Sequence, residues 1–126
     1  MRKNSIITAL VSYLEQELEM QVYRGLRFLH EINDFPSLYV HAGTENRTHI
    51  GHGEKLCILD CELRVYAFSD TLDTIELLAR KIEQAIQNYA TDSVEDYRII
   101  ELSTDEGLME PYSLADIKLQ ILYRIN

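Results

Sequence analysis

"KLCILDCELRVYAF", residues 55–68, decides the fold. Cys57, Leu59, Cys61, Leu63, Val65 and Ala67 take every second position, and Asp60, Glu62, Arg64 and Tyr66 stand between them. A period of two puts the two sets on opposite faces of a strand, one toward a core and one outward. On a helix of 3.6 residues per turn the same apolar set would be scattered around the whole circumference. The strand is unusually long, and a sheet is the frame into which the rest of the chain must fit.

Further strands flank it in sequence. In "SLYVHAG", residues 37–43, Leu38, Val40 and Ala42 alternate with Tyr39 and His41, as in a half-buried strand. The C-terminus repeats the pattern, with Ile117, Leu119, Ile121, Tyr123 and Ile125 against Asp116, Lys118, Gln120 and Arg124. "YRIIELS", residues 97–103, is strand-like through Ile99, Ile100 and Leu102, but its buried face is ambiguous. A short strand at Gln21–Gly25 precedes an irregular segment ending at Pro36.

Two stretches have helical spacing. From Ser5 to Met20, Ile7, Leu10, Val11, Leu14 and Leu18 recur at steps of three and four, with Asn4 or Ser5 as the N-cap. After the candidate caps Ser69, Asp70, Thr71 and Asp73, one stripe collects Leu72, Ile75, Leu78, Ala79, Ile82, Ala85, Ile86 and Tyr89. The order helix, strands, helix, strand pair predicts an α+β fold, a mainly antiparallel sheet with two amphipathic helices on one face. At 126 residues and 46% hydrophobic, the chain is expected to form a single domain over 1–126. Residues 43–54, "GTENRTHIGHGE", have three glycines, no periodicity and one isolated Ile50, the composition of a mobile loop or a long hairpin arm.

Composition narrows the function. A net charge of -9 opposes a tight grip on nucleic acid, where Lys and Arg must neutralise phosphates. No unbroken apolar run or cleavage pattern marks a membrane span or signal peptide, so a soluble, unsecreted protein is expected. His49, His52, Cys57 and Cys61 are the residue types zinc prefers, but four residues of strand span about 13 Å and keep the two thiols from converging. The same distance excludes a disulfide, whose Cα atoms stand within roughly 7 Å, and leaves two free core thiols. No Ser sits in a nucleophile elbow, and the five glycines match no phosphate or dinucleotide loop. No cofactor is expected.

What remains points to contact surfaces. "TDEGLMEPY", residues 104–112, reads as an acidic turn with Leu108 and Met109 at its tip among Asp105, Glu106 and Glu110. A merely solvated turn has no use for those apolar side chains. Tyr66 and Arg64 on the outer side of the long strand, in a chain of eight tyrosines and no Trp, also suggest surface reserved for partners, although tyrosines equally cap core edges. The residues favour a binding or structural protein over an enzyme. A small ligand-binding α+β domain using His41 and the acidic turn is the alternative.

"DFPSLYVHAGTE", the strand "CILDCELRVYAF" leading into "LDTIELLARKIEQAI", and above all "STDEGLMEPYSLADIKLQILYRI" together resemble the tail terminator, or tail completion, proteins of long-tailed bacteriophages, the group of the lambda minor tail protein U. That family has an acidic D-x-G-L turn before a small-Ala-Asp sequence opening the last strand, matched here by Asp105, Glu106, Gly107, Leu108, Ala115 and Asp116. The resemblance implies a non-enzymatic virion component at the head-proximal end of the tail, made in the host cytoplasm. Such a protein assembles as a hexameric ring on the tail tube, stops its polymerisation and presents a surface to head-completion, or neck, proteins. DNA would pass its lumen without specific binding. Asp105, Glu106, Leu108, Met109, Glu110, Tyr66 and Arg64 would serve subunit or partner contacts. The 43–54 segment, with Glu45, Arg47, His49, Ile50 and His52, would be a flexible loop meeting the tube. Another head–tail connector component is the nearest different assembly.

Overall fold

The computed structural model describes residues 2–25, 36–68, 72–92, 94–109 and 112–125. The chain runs α1 (Arg2–Leu18), β1 (Gln21–Arg24), β2 (Ser37–Gly51), β3 (Glu54–Phe68), α2 (Leu72–Gln87), β4 (Asp96–Met109) and β5 (Tyr112–Ile125). The strands form one sheet in the order β1-β2-β3-β5-β4. Among the described residues the short β1–β2 pair alone is parallel and the other pairs are antiparallel, as expected for an α+β fold.

β3 is the spine. It pairs with β2 along one edge and with β5 along the other, from Lys55 opposite Ile125 to Phe68 opposite Tyr112. Its inward set is the predicted one, and Cys57, Leu59, Cys61, Leu63, Val65 and Ala67 are all buried. They join Leu38 and Val40 of β2 and Ala115, Ile117, Leu119, Ile121 and Tyr123 of β5 in one cluster. Ile6, Ile7, Leu10 and Leu14 of α1 and Ile75, Ala79, Ile82, Ala85 and Ile86 of α2 close it from the helical side. Each of the larger side chains contributes about 1.5–3 kcal/mol by leaving water, which makes this face the main source of stability.

Aromatic contacts fasten the helices. The Tyr13 hydroxyl donates to the Ala85 carbonyl at 2.6 Å, joining α1 to α2. The Tyr13 ring stacks on Tyr89 at 4.0 Å, and Tyr89 meets Tyr97 of β4 at 5.1 Å. These three tyrosines cap the edge of the core.

Three expectations change, and one open choice, loop or hairpin arm for residues 43–54, is decided. α1 begins at Arg2, so Asn4 and Ser5 lie within its first turn, where they do not serve as N-caps. Asn4 Oδ1 instead accepts from Arg24 Nη1 at 2.6 Å, fixing the helix start to β1. The helix ends sooner than Met20 because Glu19 turns left-handed, with φ 53. Residues 43–51 form the second half of β2, so residues 43–54 are a hairpin arm and not an irregular loop. β3 supplies the template that keeps this segment extended, pairing with it from Glu45 to Gly51. Finally, β4 continues to Met109, opposite Tyr112, so most of the expected 104–112 turn is strand. The long β5 holds it in register up to that point, apart from an irregularity between Asp105 and Met109. Of the candidate caps before α2, Ser69, Asp70 and Thr71 lie outside the described residues.

Candidate functional site

Both helices lie on one side of the sheet. Among the described residues no helix covers the other side, and its side chains follow from the register. Tyr39, Arg64, Asp116 and Ser103 form one transverse row; His41, Glu62, Lys118 and Glu101 form the next; Asp60, Gln120 and Arg98 form a third. The rows are cross-linked by charge. Arg64 Nε donates to Asp116 Oδ1 at 2.7 Å, and Arg64 Nη2 reaches Glu62 at 3.2 Å. Lys118 lies 3.6 Å from Glu101, Gln120 donates to Asp60 at 3.2 Å, and Arg98 pairs with Asp96 at 2.8 Å. Arg124 holds Glu95 and, at 3.5 Å, Glu54.

Arg64 is the organising cation. The Asp116 carboxylate holds its guanidinium proton more tightly than usual, outweighing partial burial. This assigns a role to the Asp that follows Ala115 at the opening of β5. Ala115 is itself fully buried opposite Val65 and Thr104, where a larger side chain would press into the core.

One corner of the open face is aromatic. Tyr39 stacks on Tyr23 with ring centroids 5.2 Å apart and meets Tyr66 edge-on at 6.0 Å, while Leu114 completes the cluster. Tyr66 was expected as exposed partner surface and is instead only 3% exposed. Its neighbours on the same face shield it, which periodicity along one strand does not reveal. Arg64 beside it remains part-exposed and reachable.

Two bulges shape the middle of the face. β2 slips register between Ala42 and Glu45, and β4 slips between Ile99 and Glu101. Ala42, Cys61, Leu119 and Ile99 are successive cross-strand partners, so both bulges fall on one transverse level. Bulges increase local twist and bend. Between them lies an open depression of about 490 Å³ bordered by His41, Thr44, Asp60, Glu62, Ile100 and Lys118. Gly43 lets its floor close up, because a Cβ there would stand 3.2 Å from the Asp60 carbonyl oxygen.

The arm carries the other predicted residues. Beyond Ala42 its side chains are mostly exposed, Ile50 at 42%, and Arg47 pairs with Glu45 at 2.8 Å. Glu45, Arg47 and His49 share one side of the arm, and Asn46, Thr48 and Ile50 the other; His52 sits in the turn with Gly53. For Asp105, Glu106, Leu108 and Met109 the structure describes the backbone, within β4, and not the side chains; Glu110 lies outside the described residues. The arm and the β4–β5 tip lie toward opposite ends of β3, since Lys55 opposes Ile125 and Phe68 opposes Tyr112. The two predicted groups therefore form separate surfaces.

Cys57 and Cys61 are buried and not in a disulfide, and burial pushes the Cys61 thiol up to about 12. A thiol so far from ionising is a core side chain and not a nucleophile. Among the described residues, no group of three or more His, Cys, Asp or Glu is placed to hold a metal ion.

Residues 68–126, from the end of β3 through β5, match the family described as Bacteriophage Tail Tube Terminator Protein. The tail tube terminator protein p142 of Escherichia phage T5 is 32% identical over 110 residues, covering 75% of this chain and 68% of that protein. A solved chain from the virion of a native gene transfer agent particle shares the fold. Its TM-score is 0.60 at 11% identity, over 89% of this chain and 84% of that one. With a relative 32% identical over more than two thirds of both chains and a family match running from the end of β3 through β5, the chain belongs to the tail tube terminator family of bacteriophages, as a structural protein of the tail.

Proposed function

We propose that this chain caps the head-proximal end of the tail tube as a ring of identical subunits, six in number, ending tube polymerisation and offering the opposite surface to a head-completion or neck protein. The 32% identity to a tail tube terminator carries the reading. A ring requires a heterologous contact, in which one patch of a subunit meets a different patch of the next under a rotation that closes. The open face with Arg64, and the acidic tip with Asp105, Glu106, Leu108, Met109 and Glu110, supply one kind of patch; the arm with Glu45, Arg47, His49, Ile50 and His52 supplies another. The arm meets the tube and gains order there. A net charge of -9 suits a lumen through which DNA slides without adhering, and no catalytic role is assigned. The subunit forms as one domain in the host cytoplasm before joining the virion.

Polymerising tail tube protein with and without the purified chain tests this. Capped tubes should be shorter, with a ring visible at one end by negative-stain microscopy, and tubes of unchanged length would refute it. Leu108→Asp or Met109→Asp is expected to leave thermal unfolding unchanged while impairing ring closure or capping. Hydrogen exchange should slow across residues 43–54 on assembled tails relative to the free subunit. Equal protection in both states would remove the arm from the tube contact.

A further inference from the structure

The sheet has two edges, and among the described residues neither is fully covered. β1 pairs with β2 only from Ser37 to Val40, so β2 from His41 to Gly51 has a strand on one side alone among the described residues. At the far side, β4 pairs with β5 and, among the described residues, with no other strand. Exposed edges invite pairing with other chains, and proteins commonly blunt them with Lys or Pro. Neither β4 nor β2 contains a Lys or a Pro, and although both carry bulges, which also blunt edges, residues 45–49 and 101–105 remain as regular runs between them. A lysine does reach one edge: Lys3 Nζ donates to the Gly43 carbonyl at 3.3 Å.

Taking the ring reading above as its basis, we propose that the ring closes by antiparallel pairing of the β4 edge of one copy with the His41–Gly51 edge of the next. The sheet then continues from subunit to subunit. Direction favours this. β2, β3, β5 and β4 alternate in sense across the sheet, so copies related by rotation about an axis roughly along the strands bring β4 against a β2 of opposite sense. Antiparallel pairing follows with no inversion of the subunit, as head-to-tail closure requires.

Charge favours the same partner. β4 carries Asp96, Glu101, Asp105 and Glu106 against Arg98 alone. The free part of β2 carries one Glu45–Arg47 pair and two histidines, His41 and His49. Two β4 edges meeting about a twofold axis would set acid against acid, which is unfavourable across strands. β4 against β2 avoids that. Apolar surface is available on both edges, with Ile100 56% and Leu102 38% exposed on β4 and Ile50 42% exposed on the arm. Because β2 is free only beyond β1, the pairing is staggered along the strands. Stagger of this kind tilts strands relative to the ring axis, as in closed barrels.

Two cysteine substitutions at exposed positions on the open face test it, Thr48→Cys on the arm and Ser103→Cys on β4. The native thiols are buried and stay silent. A short bis-maleimide is applied to the full chain, alone and on polymerised tail tube protein. The double variant should give a ladder of covalent multimers up to ring size, and each single variant should stay monomeric on denaturing gels. A dimer from Ser103→Cys alone would overturn the proposal in favour of a twofold contact. Rings that form without a ladder would overturn the strand contact and leave the capping function standing. If no rings form in either condition, both fall. Leu102→Lys, which blunts the β4 edge, should abolish rings at an unchanged melting temperature; rings as abundant as in the parent chain would also overturn the pairing.

Discussion

Glu19 is the one non-glycine residue with a left-handed backbone among the described residues. It sits just past α1 with φ 53, the left-handed region that L-residues other than Asn and Asp rarely adopt. The turn is needed there, because the Glu19 N–H returns to the Glu15 carbonyl at 3.0 Å and the chain must reverse into β1 within two residues. Its carboxylate adds to Glu15 and Glu17 near a helix C-terminus that already carries partial negative charge, and α1 has no basic residue in its last turn. Glu19→Gly should therefore raise stability by about 1 kcal/mol, or about 3–5 °C in Tm for a chain of this size. Thermal melts of the two proteins check it, and an equal or lower Tm would mean that the side chain has a contact worth more than the strain. Gly53 is the opposite case. Its φ of 67 is met by a residue suited to it, in open space at the arm's turn, so Gly53→Ala would lose stability through backbone strain alone.

At the scale of elements, β3 and β5 bind each other on both faces, by core packing inward and by charge outward. Arg64 and Asp116 stand directly opposite one another and are each about a quarter exposed, at 27% and 23%. Cross-strand ion pairs contribute roughly 0.2–1 kcal/mol, and partial burial with two N–H donors places this one at the upper end. A double-mutant cycle of Arg64→Ala and Asp116→Ala in urea should give a coupling of about 1 kcal/mol, and additive losses would show the pair to be geometric only. The inward half of this pairing was legible in the sequence, since a period of two over β3 and β5 names the buried set without reference to neighbours. α2 was legible for the same reason at a period near four. The outward half was not. Arg64 gave no sign of its partner 52 residues away, and Tyr66 looked exposed because the side chains that bury it belong to other strands. β4 resisted reading because of its bulge: Tyr97 and Ile99 pack inward before it, Leu102 and Thr104 share the inward side after it, and the phase changes at Ile100. Alternation carries information only while register holds. The 104–112 segment failed differently, its Gly107 and Pro111 giving turn composition to a stretch that β5 keeps extended as far as Met109.

As a whole, the molecule joins a core closed by helices to an open face and two sheet edges, and the core is the main source of its stability as a free subunit. That core holds groups that resist ionisation. Burial pushes the Cys61 thiol up to about 12 from 9.0 and the Tyr97 hydroxyl up to about 12 from 10.0, and burial also raises Tyr13 and Tyr89. Each group binds its proton more tightly in the folded chain, so its contribution is fully present below the unfolded value and is lost as pH rises through the folded one. Stability should hold to about pH 9 and then decline as Cys61 begins to ionise in the unfolded chain, more steeply past pH 10 when the tyrosines join. Cys61 adds up to about 1.4 kcal/mol per pH unit to the slope, and the more exposed tyrosines, screened by water, add less. The net charge of -9 adds self-repulsion that grows over the same range, so the comparison belongs in about 1 M salt, where the screening length is about 3 Å. Urea unfolding from pH 8 to 12 measures the decline. Cys61→Val, which keeps a small apolar side chain in the same place, should make the decline between about pH 9 and 10 shallower and leave the steeper limb intact. A decline just as steep between about pH 9 and 10 in that variant would assign the first loss to another group, and the Cys61 thiol would then have no part in the alkaline limit of the fold.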